Sequence, residues 1–124
     1  MAKNKSRILH VDDEPDILKI VKTILEKEGF TIESVESGKG ALEQIKLNNF
    51  DLLILDVMMP DMSGWDLFTR IGKLKPEYKV IFLTVLEVSG SRLKQLKKYG
   101  IQDYITKPFD RDDLVKRVKK AISS

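Results

Sequence analysis

The chain alternates between short apolar runs and longer amphipathic segments. The short runs are rich in β-branched and large apolar side chains, which is typical of strands, and they cover residues 7–11, 31–35, 51–56, 79–84 and 103–106. Each run is followed by a segment with helical periodicity, so the pattern predicts five consecutive strand–helix units. Residues 52–55 and 80–83 are apolar without interruption, as strands covered on both faces require.

The helical segments carry start and stop signals as well as an apolar face. Starts are predicted at Pro15, Ser37, Ser63-Gly64 and Asp110, and stops at Gly29 and Gly100. The residues predicted to face inward, from the first helix to the fifth, are Ile17, Ile20, Val21, Ile24 and Leu25; Ala41, Leu42 and Ile45; Trp65, Phe68 and Ile71; Leu93 and Leu96; and Leu114, Val118 and Ile122.

Strands separated by single helices need right-handed crossovers, which make the sheet parallel and put helices on both of its faces. We therefore predict a doubly wound α/β fold of the flavodoxin-like type. A chain of 124 residues with 42% hydrophobic residues is long enough for one ordinary core, so we expect a single domain over residues 1–124.

Composition limits which metal ligands the chain can offer and where in the cell we expect it. The chain has no cysteine, which excludes disulfides and thiolate ligands and leaves oxygen ligands for any metal. No apolar run approaches the roughly 18 residues that cross a bilayer, and the polar residues 1–5 lack the apolar stretch of a secretory signal. We expect a cytoplasmic protein without membrane contact. A net charge of +3 does not by itself imply a nucleic-acid partner.

Polar side chains follow the predicted strands at the edge where ligands bind in open parallel sheets. They are Asp12 and Asp13 after the first strand, Asp56 after the third, Thr84 after the fourth and Lys107 after the fifth. Three clustered carboxylates repel one another, and a hard divalent cation with oxygen ligands relieves that repulsion. We infer Mg2+, with Mn2+ as the alternative ion. A carboxylate beside such an ion and an ammonium is suited to attack phosphorus.

These residues carry a family resemblance over nearly the whole chain. Asp12-Asp13, the stretch Asp-Val-Met-Met-Pro-Asp-Met-Ser-Gly at 56–64, Thr84, and Tyr-Ile-Thr-Lys-Pro-Phe at 104–109 together resemble the chemotaxis-regulator-like receiver domains of two-component response regulators. The resemblance implies the strand order 2-1-3-4-5. It also implies a metal held by Asp13, Asp56 and the backbone carbonyl of Met58, with Asp12 assisting.

The same resemblance implies a function. Asp56 would accept a phosphoryl group from a sensor histidine kinase or a histidine phosphotransfer domain, with help from Thr84 and from Lys107, whose peptide bond to Pro108 would be cis. Thr84 and Tyr104 would then change the face made by the fourth helix, fifth strand and fifth helix. Such a domain is a phosphorylation switch rather than an enzyme with a turnover substrate.

The partners implied are a kinase and an output protein or tethered effector domain of unknown identity. We expect no direct nucleic-acid contact and a monomer at rest, and the sequence leaves open a dimer that forms on phosphorylation. It also leaves open whether the domain is stand-alone or part of a longer response regulator.

Three other functions fit parts of the pattern. A phosphatase of the haloacid-dehalogenase type would carry Asp-x-Asp after the first strand, where this chain has adjacent acids. A flavodoxin-like cofactor binder would need a glycine or hydroxyl cluster where Asp12 and Asp13 would repel a phosphate. A degenerate receiver that only binds partners is disfavoured by the presence of Asp56, Thr84 and Lys107. His10 lies inside the first strand, so we expect a packed or hydrogen-bonded imidazole without a catalytic role.

Overall fold

Strands and helices alternate through residues 6–124, which are the residues that the computed structural model describes. The elements are β1 (Arg7–Val11), α1 (Pro15–Lys27), β2 (Thr31–Val35), α2 (Gly38–Leu47), β3 (Leu52–Leu55), α3 (Gly64–Leu74), β4 (Val80–Thr84), α4 (Gly90–Lys98), β5 (Ile101–Thr106) and α5 (Arg111–Ser123). In this part of the chain, no helix is long and apolar enough to cross a membrane. The polar residues 1–5, used above for the expectation of a cytoplasmic protein, lie outside it.

The five strands form one parallel sheet in the order β2-β1-β3-β4-β5, which confirms the predicted topology. Every side chain of β3 and β4 is buried, as their uninterrupted apolar sequences predict for strands covered on both faces. The order brings the carboxyl ends of β1, β3, β4 and β5 together as neighbours, so the residues that follow these strands meet at one edge.

Helices cover both faces of the sheet. On one face, Leu9, Leu53 and Phe82 belong to a core with residues of α2, α3 and α4. On the other face, Ile8, Ile54 and Ile81 pack with residues of α1 and α5. Burial of these side chains fixes which residues of each strand face which layer, and so fixes the register in which the strands end.

Side-chain caps begin four of the helices. The side chains of Ser37, Ser63, Ser89 and Asp110 accept hydrogen bonds from the backbone N–H three residues further on, which satisfies amides that have no partner inside the helix. The predicted starts at Ser37, Ser63 and Asp110 are thus confirmed. Gly100 follows α4 with φ +107, the left-handed conformation expected for a glycine that stops a helix.

The inward face of α1 was predicted wrongly at one position. Ile20 is 47% exposed, whereas Leu18 is buried together with Val21 and Leu25. Apolar residues span a wide sector of this helix, so periodicity alone does not decide which side of the sector faces water. Packing between α1, the sheet and α5 decides it. The other residues predicted to face inward are buried or partly buried.

Three strands differ from the predicted bounds at their ends, and β4 does so only in beginning at Val80 rather than at 79. β3 is shorter than 51–56, although the N–H of Asp51 donates to Arg7 (2.7 Å) and that of Asp56 to Val11 (3.0 Å), so the ladder continues at both ends. β5 begins at Ile101 rather than at 103, because the register shifts by one residue there: Val80 pairs with Ile101, and Ile81 pairs with Asp103. An irregularity of this kind interrupts the alternation from which strands are predicted.

Candidate functional site

Four carboxylates meet where β1 and β3 end. Asp12, Asp13, Glu14 and Asp56 each offer an oxygen atom, and these oxygens all lie within 4.8 Å of one another. Asp12 is fully buried and Asp56 is 3% exposed, so neither charge is well hydrated. The structure thus brings the three predicted acids together and adds Glu14, which the sequence prediction omitted although it directly follows Asp12-Asp13.

Lys107 supplies the cation that faces these acids. Its ammonium lies 2.7 Å from Asp12, 3.1 Å from Glu14 and 3.6 Å from Asp56, and its side chain is only 6% exposed. Its backbone N–H donates to the carbonyl of Thr84 (2.8 Å), which joins the end of β5 to the end of β4. The Lys107–Pro108 peptide bond is cis, as the family resemblance implied.

The charges of the site depend on one another. Burial raises the pKa of Asp12, and the hydrogen bond from Lys107 only partly opposes that effect. Burial by itself would lower the pKa of Lys107, but Asp12, Glu14 and Asp56 outweigh it and the pKa is raised. The ammonium therefore stays charged at neutral pH. One ammonium among four carboxyl groups leaves the cluster short of positive charge.

The donor set fits a hard divalent cation. Every candidate ligand in the cluster is a carboxylate oxygen, the donor that Mg2+ prefers, and the described residues contain no comparable group of histidines. Met58 lies two residues beyond Asp56, and its N–H donates to Asp56 Oδ1 (3.3 Å). Met58 is therefore held beside the cluster by the same carboxylate that is its predicted co-ligand.

A short chain of hydrogen bonds runs from the site to the buried aromatic residues. The hydroxyl of Thr84, which is fully buried, accepts from the N–H of Leu86 (3.5 Å), and the carbonyl of Leu86 accepts from the hydroxyl of Tyr104 (2.6 Å). Tyr104 is 7% exposed and stacks on Trp65 with ring centroids 6.3 Å apart. The two predicted switch residues are thus linked through one backbone unit.

Asp61 anchors the loop between β3 and α3, a contact that the sequence analysis did not predict. Its two carboxylate oxygens accept from the N–H groups of Gly38 (3.1 Å) and Lys39 (3.0 Å) at the start of α2. The bond from Lys39 is the largest of several effects that lower the pKa of Asp61, and the helix dipole favours the same charge. The loop that carries Met58 is thereby tied to a neighbouring helix.

His10 is packed rather than hydrogen-bonded. It is fully buried, and both of its ring nitrogens lack a partner, as does the hydroxyl of Ser34 beside it on β2. Burial, followed by the charge of Lys107, lowers its pKa from 6.5 to about 3. The imidazole is therefore neutral at physiological pH, and it contributes apolar bulk to the core.

This burial predicts a dependence of stability on pH. Between pH 6.5 and about 3 the unfolded chain binds a proton on His10 that the folded chain does not, so stability falls as pH falls through that window. We expect His10 to cost about 2 kcal/mol of unfolding free energy between about pH 7 and pH 5. Denaturant unfolding at both pH values should show a correspondingly smaller loss in His10→Leu than in the wild type. Equal losses in the two proteins would contradict the buried neutral imidazole.

Comparison with known proteins identifies the family. The family model of the response regulator receiver domain matches residues 8–119. The chain belongs to this family. Transcriptional activator protein IrlR of Burkholderia pseudomallei is 39% identical over 116 residues, which cover 94% of this chain and 50% of that protein. The receiver domain described here thus spans about half the length of the curated relatives that it matches.

Solved receiver structures share the fold. The response regulator TrrA of Thermotoga maritima, in complex with Mg2+-BeF, has a TM-score of 0.80 at 38% identity, covering 94% of this chain and 98% of that chain. A CheY-like receiver domain of Methanospirillum hungatei has a TM-score of 0.86 at 33% identity, covering 97% and 95%. Receiver domains are phosphorylation switches rather than conventional enzymes, and they interact with histidine kinases and output effector domains.

Proposed function

We propose that this receiver domain accepts a phosphoryl group on Asp56 from a phosphohistidine of a sensor histidine kinase or histidine phosphotransfer domain. The observation that carries the proposal is a buried carboxylate 3.6 Å from the Lys107 ammonium, inside a cluster of oxygen donors. A carboxylate held beside fixed positive charge is suited to attack phosphorus, because that charge offsets the charge on the transferring group.

In the proposed transfer, Asp56 is the nucleophile and Lys107 neutralises charge. A carboxylate oxygen of Asp56 attacks phosphorus in line with the phosphorus–nitrogen bond of the donor. That bond breaks, the imidazole leaves with the bonding electrons and takes up a proton, and an aspartyl phosphate forms. Lys107, already oriented by Asp12 at 2.7 Å, neutralises charge on the phosphoryl oxygens, and Thr84 offers them its hydroxyl.

We assign the metal site to the same residues. Asp12, Asp13, Asp56 and the backbone carbonyl of Met58 would hold Mg2+, with Mn2+ as the alternative ion. When bound, the ion supplies positive charge that shields the clustered carboxylates and the incoming phosphoryl group from one another. Glu14, which already contacts Lys107 at 3.1 Å, is a further oxygen donor within reach.

The signal would leave the site through Thr84. An aspartyl phosphate adds strong acceptor oxygens, and a hydrogen bond to them from the Thr84 hydroxyl would reorient the group that now accepts from Leu86. Leu86 also holds the hydroxyl of Tyr104, so its movement would shift that ring and the α4-β5-α5 surface. Physically, phosphorylation biases a two-state element that is built from these three residues.

We also propose the domain organisation, the mode of output, the cellular location and the oligomeric state of this switch. Residues 1–124 would act as one receiver domain that signals either as a separate protein or while tethered to an effector domain. Its output would pass through protein contact, without nucleic-acid or membrane contact of its own. We take it to be cytoplasmic and a monomer at rest, with dimerisation on phosphorylation to be tested by light scattering.

Phosphorylation by a small donor is the direct test. We expect acetyl phosphate with Mg2+ to add one phosphoryl group, read as a shift in intact mass. Chelation of the metal should abolish the shift, because the uncompensated carboxylates repel the donor. If acetyl phosphate fails, a phosphorylated histidine kinase replaces it as donor. Absence of phosphorylation with both donors, in folded protein with metal, would contradict the proposal.

Thr84→Ala should separate phosphorylation from its readout. The variant keeps Asp56 and Lys107, so we expect it still to gain the phosphoryl group, more slowly because the Thr84 hydroxyl is lost. It should lose the response of Tyr104 and its stacked neighbour Trp65. The measurement is Trp65 fluorescence before and after phosphorylation. Thr106→Ala is the matched control, because Thr106 pairs with Thr84 at the end of the adjacent strand and is exposed. A full fluorescence response in Thr84→Ala would refute the proposed route.

A further inference from the structure

A groove lies between α3 and α4 and runs from Trp65 and Arg92 to Lys79 and Val80 at the amino end of β4. It has a volume of about 640 Å3, and its lining includes the aromatic side chains of Trp65, Phe68, Tyr78 and Tyr99. This volume falls within the range of about 300 to 1,000 Å3 that is typical of small-molecule sites. The proposed phosphoryl transfer does not use this part of the molecule.

Gly72 indicates that the groove is not filled by the protein itself. This glycine lies within α3, where glycine is a poor helix former, and it lines the groove. A Cβ atom built on it meets nothing within 4 Å, so no neighbouring side chain or backbone requires a glycine here. By contrast, Gly64 at the start of the same helix is required by backbone atoms of Val57 and Asp56. Gly72 is exposed, so the space above it is open to solvent and leaves room for a ligand.

The groove carries positive charge that its own acids do not neutralise. Its ionisable lining residues are Lys75, Lys79, Arg92 and one acid, Glu77. Neither Lys75 nor Arg92 forms an ion pair with a carboxylate among residues 6–124. The Arg92 guanidinium donates to Gln95 Oε1 (3.4 Å) and lies 5.8 Å from the ring centroid of Trp65. The Lys75 ammonium donates to Asn49 Oδ1 (2.8 Å) and lies 5.7 Å from the ring centroid of Tyr78. An anionic group could pair with these two cations, while a ring attached to it packs against the aromatic side chains of the groove.

We propose that this groove is a binding site for a small aromatic anion, a planar ring system that bears a sulfonate, carboxylate or phosphate group. The ring would pack against the aromatic wall above Gly72, and the anion would pair with Arg92 and Lys75 at the rim. The groove contains none of the residues proposed for the phosphoryl transfer, but its lining residue Trp65 stacks on Tyr104 of the proposed switch, so binding is tested on the unphosphorylated chain.

Trp65 provides a signal from within the site. It is the single tryptophan of the chain, and it contacts Phe82 at 4.5 Å and Tyr104 at 6.3 Å between ring centroids. A ligand in the groove therefore changes the emission of a residue that also borders the buried aromatic cluster. No label has to be introduced.

The test uses anilinonaphthalene sulfonate as the probe and phenylnaphthylamine as its uncharged counterpart. Both are titrated into the full, unphosphorylated chain, with Trp65 energy transfer to the probe as the readout and NMR amide shifts as the map. We expect one-to-one binding of the sulfonate with shifts confined to α3, α4 and the start of β4. Gly72→Met should weaken it by about tenfold or more, because the added side chain fills the groove. Arg92→Gln should weaken the sulfonate but not the uncharged compound.

Gly90→Met is the matched control, because a Cβ at Gly90 also meets nothing within 4 Å and this residue does not line the groove. It should bind the sulfonate as the wild type does. Circular dichroism establishes that each variant is folded, and Gly72→Ala, which keeps the groove open, should raise the denaturation midpoint. Absence of binding, shifts that map elsewhere, or unchanged affinity in folded Gly72→Met would overturn the proposal.

Discussion

Asp56→Asn is expected to reduce phosphoryl gain from any donor below detection while leaving the receiver fold intact. The amide keeps the shape of the carboxylate but removes the nucleophile, and none of the nearby acids replaces it in the proposed transfer. Asp12 is engaged by Lys107 at 2.7 Å, and Asp13 and Glu14 follow β1 rather than β3, where the proposed acceptor lies. We expect a metal-free stability within about 1 kcal/mol of the wild type, shifted toward greater stability because one like charge is gone.

Asp66→Asn is the matched control for this experiment. Asp66 is exposed in the first turn of α3, and the variant should gain the phosphoryl group normally. Intact mass gives the stoichiometry, and thermal unfolding with and without Mg2+ gives the second readout. The wild type should be stabilised by the ion, and Asp56→Asn should be stabilised less, because a ligand is lost. Phosphorylation of Asp56→Asn at the wild-type level would locate the acceptor elsewhere.

Gly64→Ala is expected to destabilise the domain by about 3 kcal/mol, because the added methyl group has no room. A Cβ at this position would overlap the carbonyl oxygen of Asp56 and would lie 2.8 Å from the Cα of Val57. These are backbone atoms of the segment that carries the proposed phosphoacceptor, so they cannot rotate away as a side chain would. The overlap should also shift Asp56 and lower the rate of its phosphorylation.

Gly90→Ala tests whether the cost is steric. Gly90 begins α4 as Gly64 begins α3, but a Cβ at Gly90 meets nothing within 4 Å. Its replacement should be neutral or slightly stabilising, since alanine is the better helix former. Denaturant unfolding of both variants gives the comparison, and similar losses at the two positions would show that glycine flexibility, rather than close approach, explains Gly64.

The sequence predicted the sheet well because its evidence is local. Uninterrupted apolar runs at Leu52–Leu55 and at 80–83 identify buried strands, and single helices between strands leave little choice of connection. The strand order itself came from the family resemblance. Ile20 was misplaced because a helix with apolar residues over a wide sector is compatible with several orientations, and contacts with α5 and the sheet select one of them.

The site was predictable where a residue ends a strand and unpredictable where a contact depends on loop geometry. Asp12, Asp56, Thr84 and Lys107 were located by the rule that ligands bind at the carboxyl ends of parallel strands. No such rule predicts the hydrogen bonds from α2 to Asp61, because the donors are backbone amides 22 and 23 residues away along the chain. The hydrogen bonds from Thr84 to Tyr104 through Leu86 could not be predicted either, because they use the backbone of Leu86, which any residue would supply.

The hydrogen bonds from Gly38 and Lys39 to Asp61 offer a way to measure how often the loop between β3 and α3 opens. The amides of Gly38 and Lys39 exchange with solvent deuterium when their hydrogen bonds to Asp61 break. Their exchange rates therefore depend on how often the loop that carries Met58 moves away from α2. Because that loop begins at Asp56 in the carboxylate cluster, we expect a group bound there to slow the exchange of these two amide hydrogens. Hydrogen exchange at the start of α2 should therefore report whether the site is occupied.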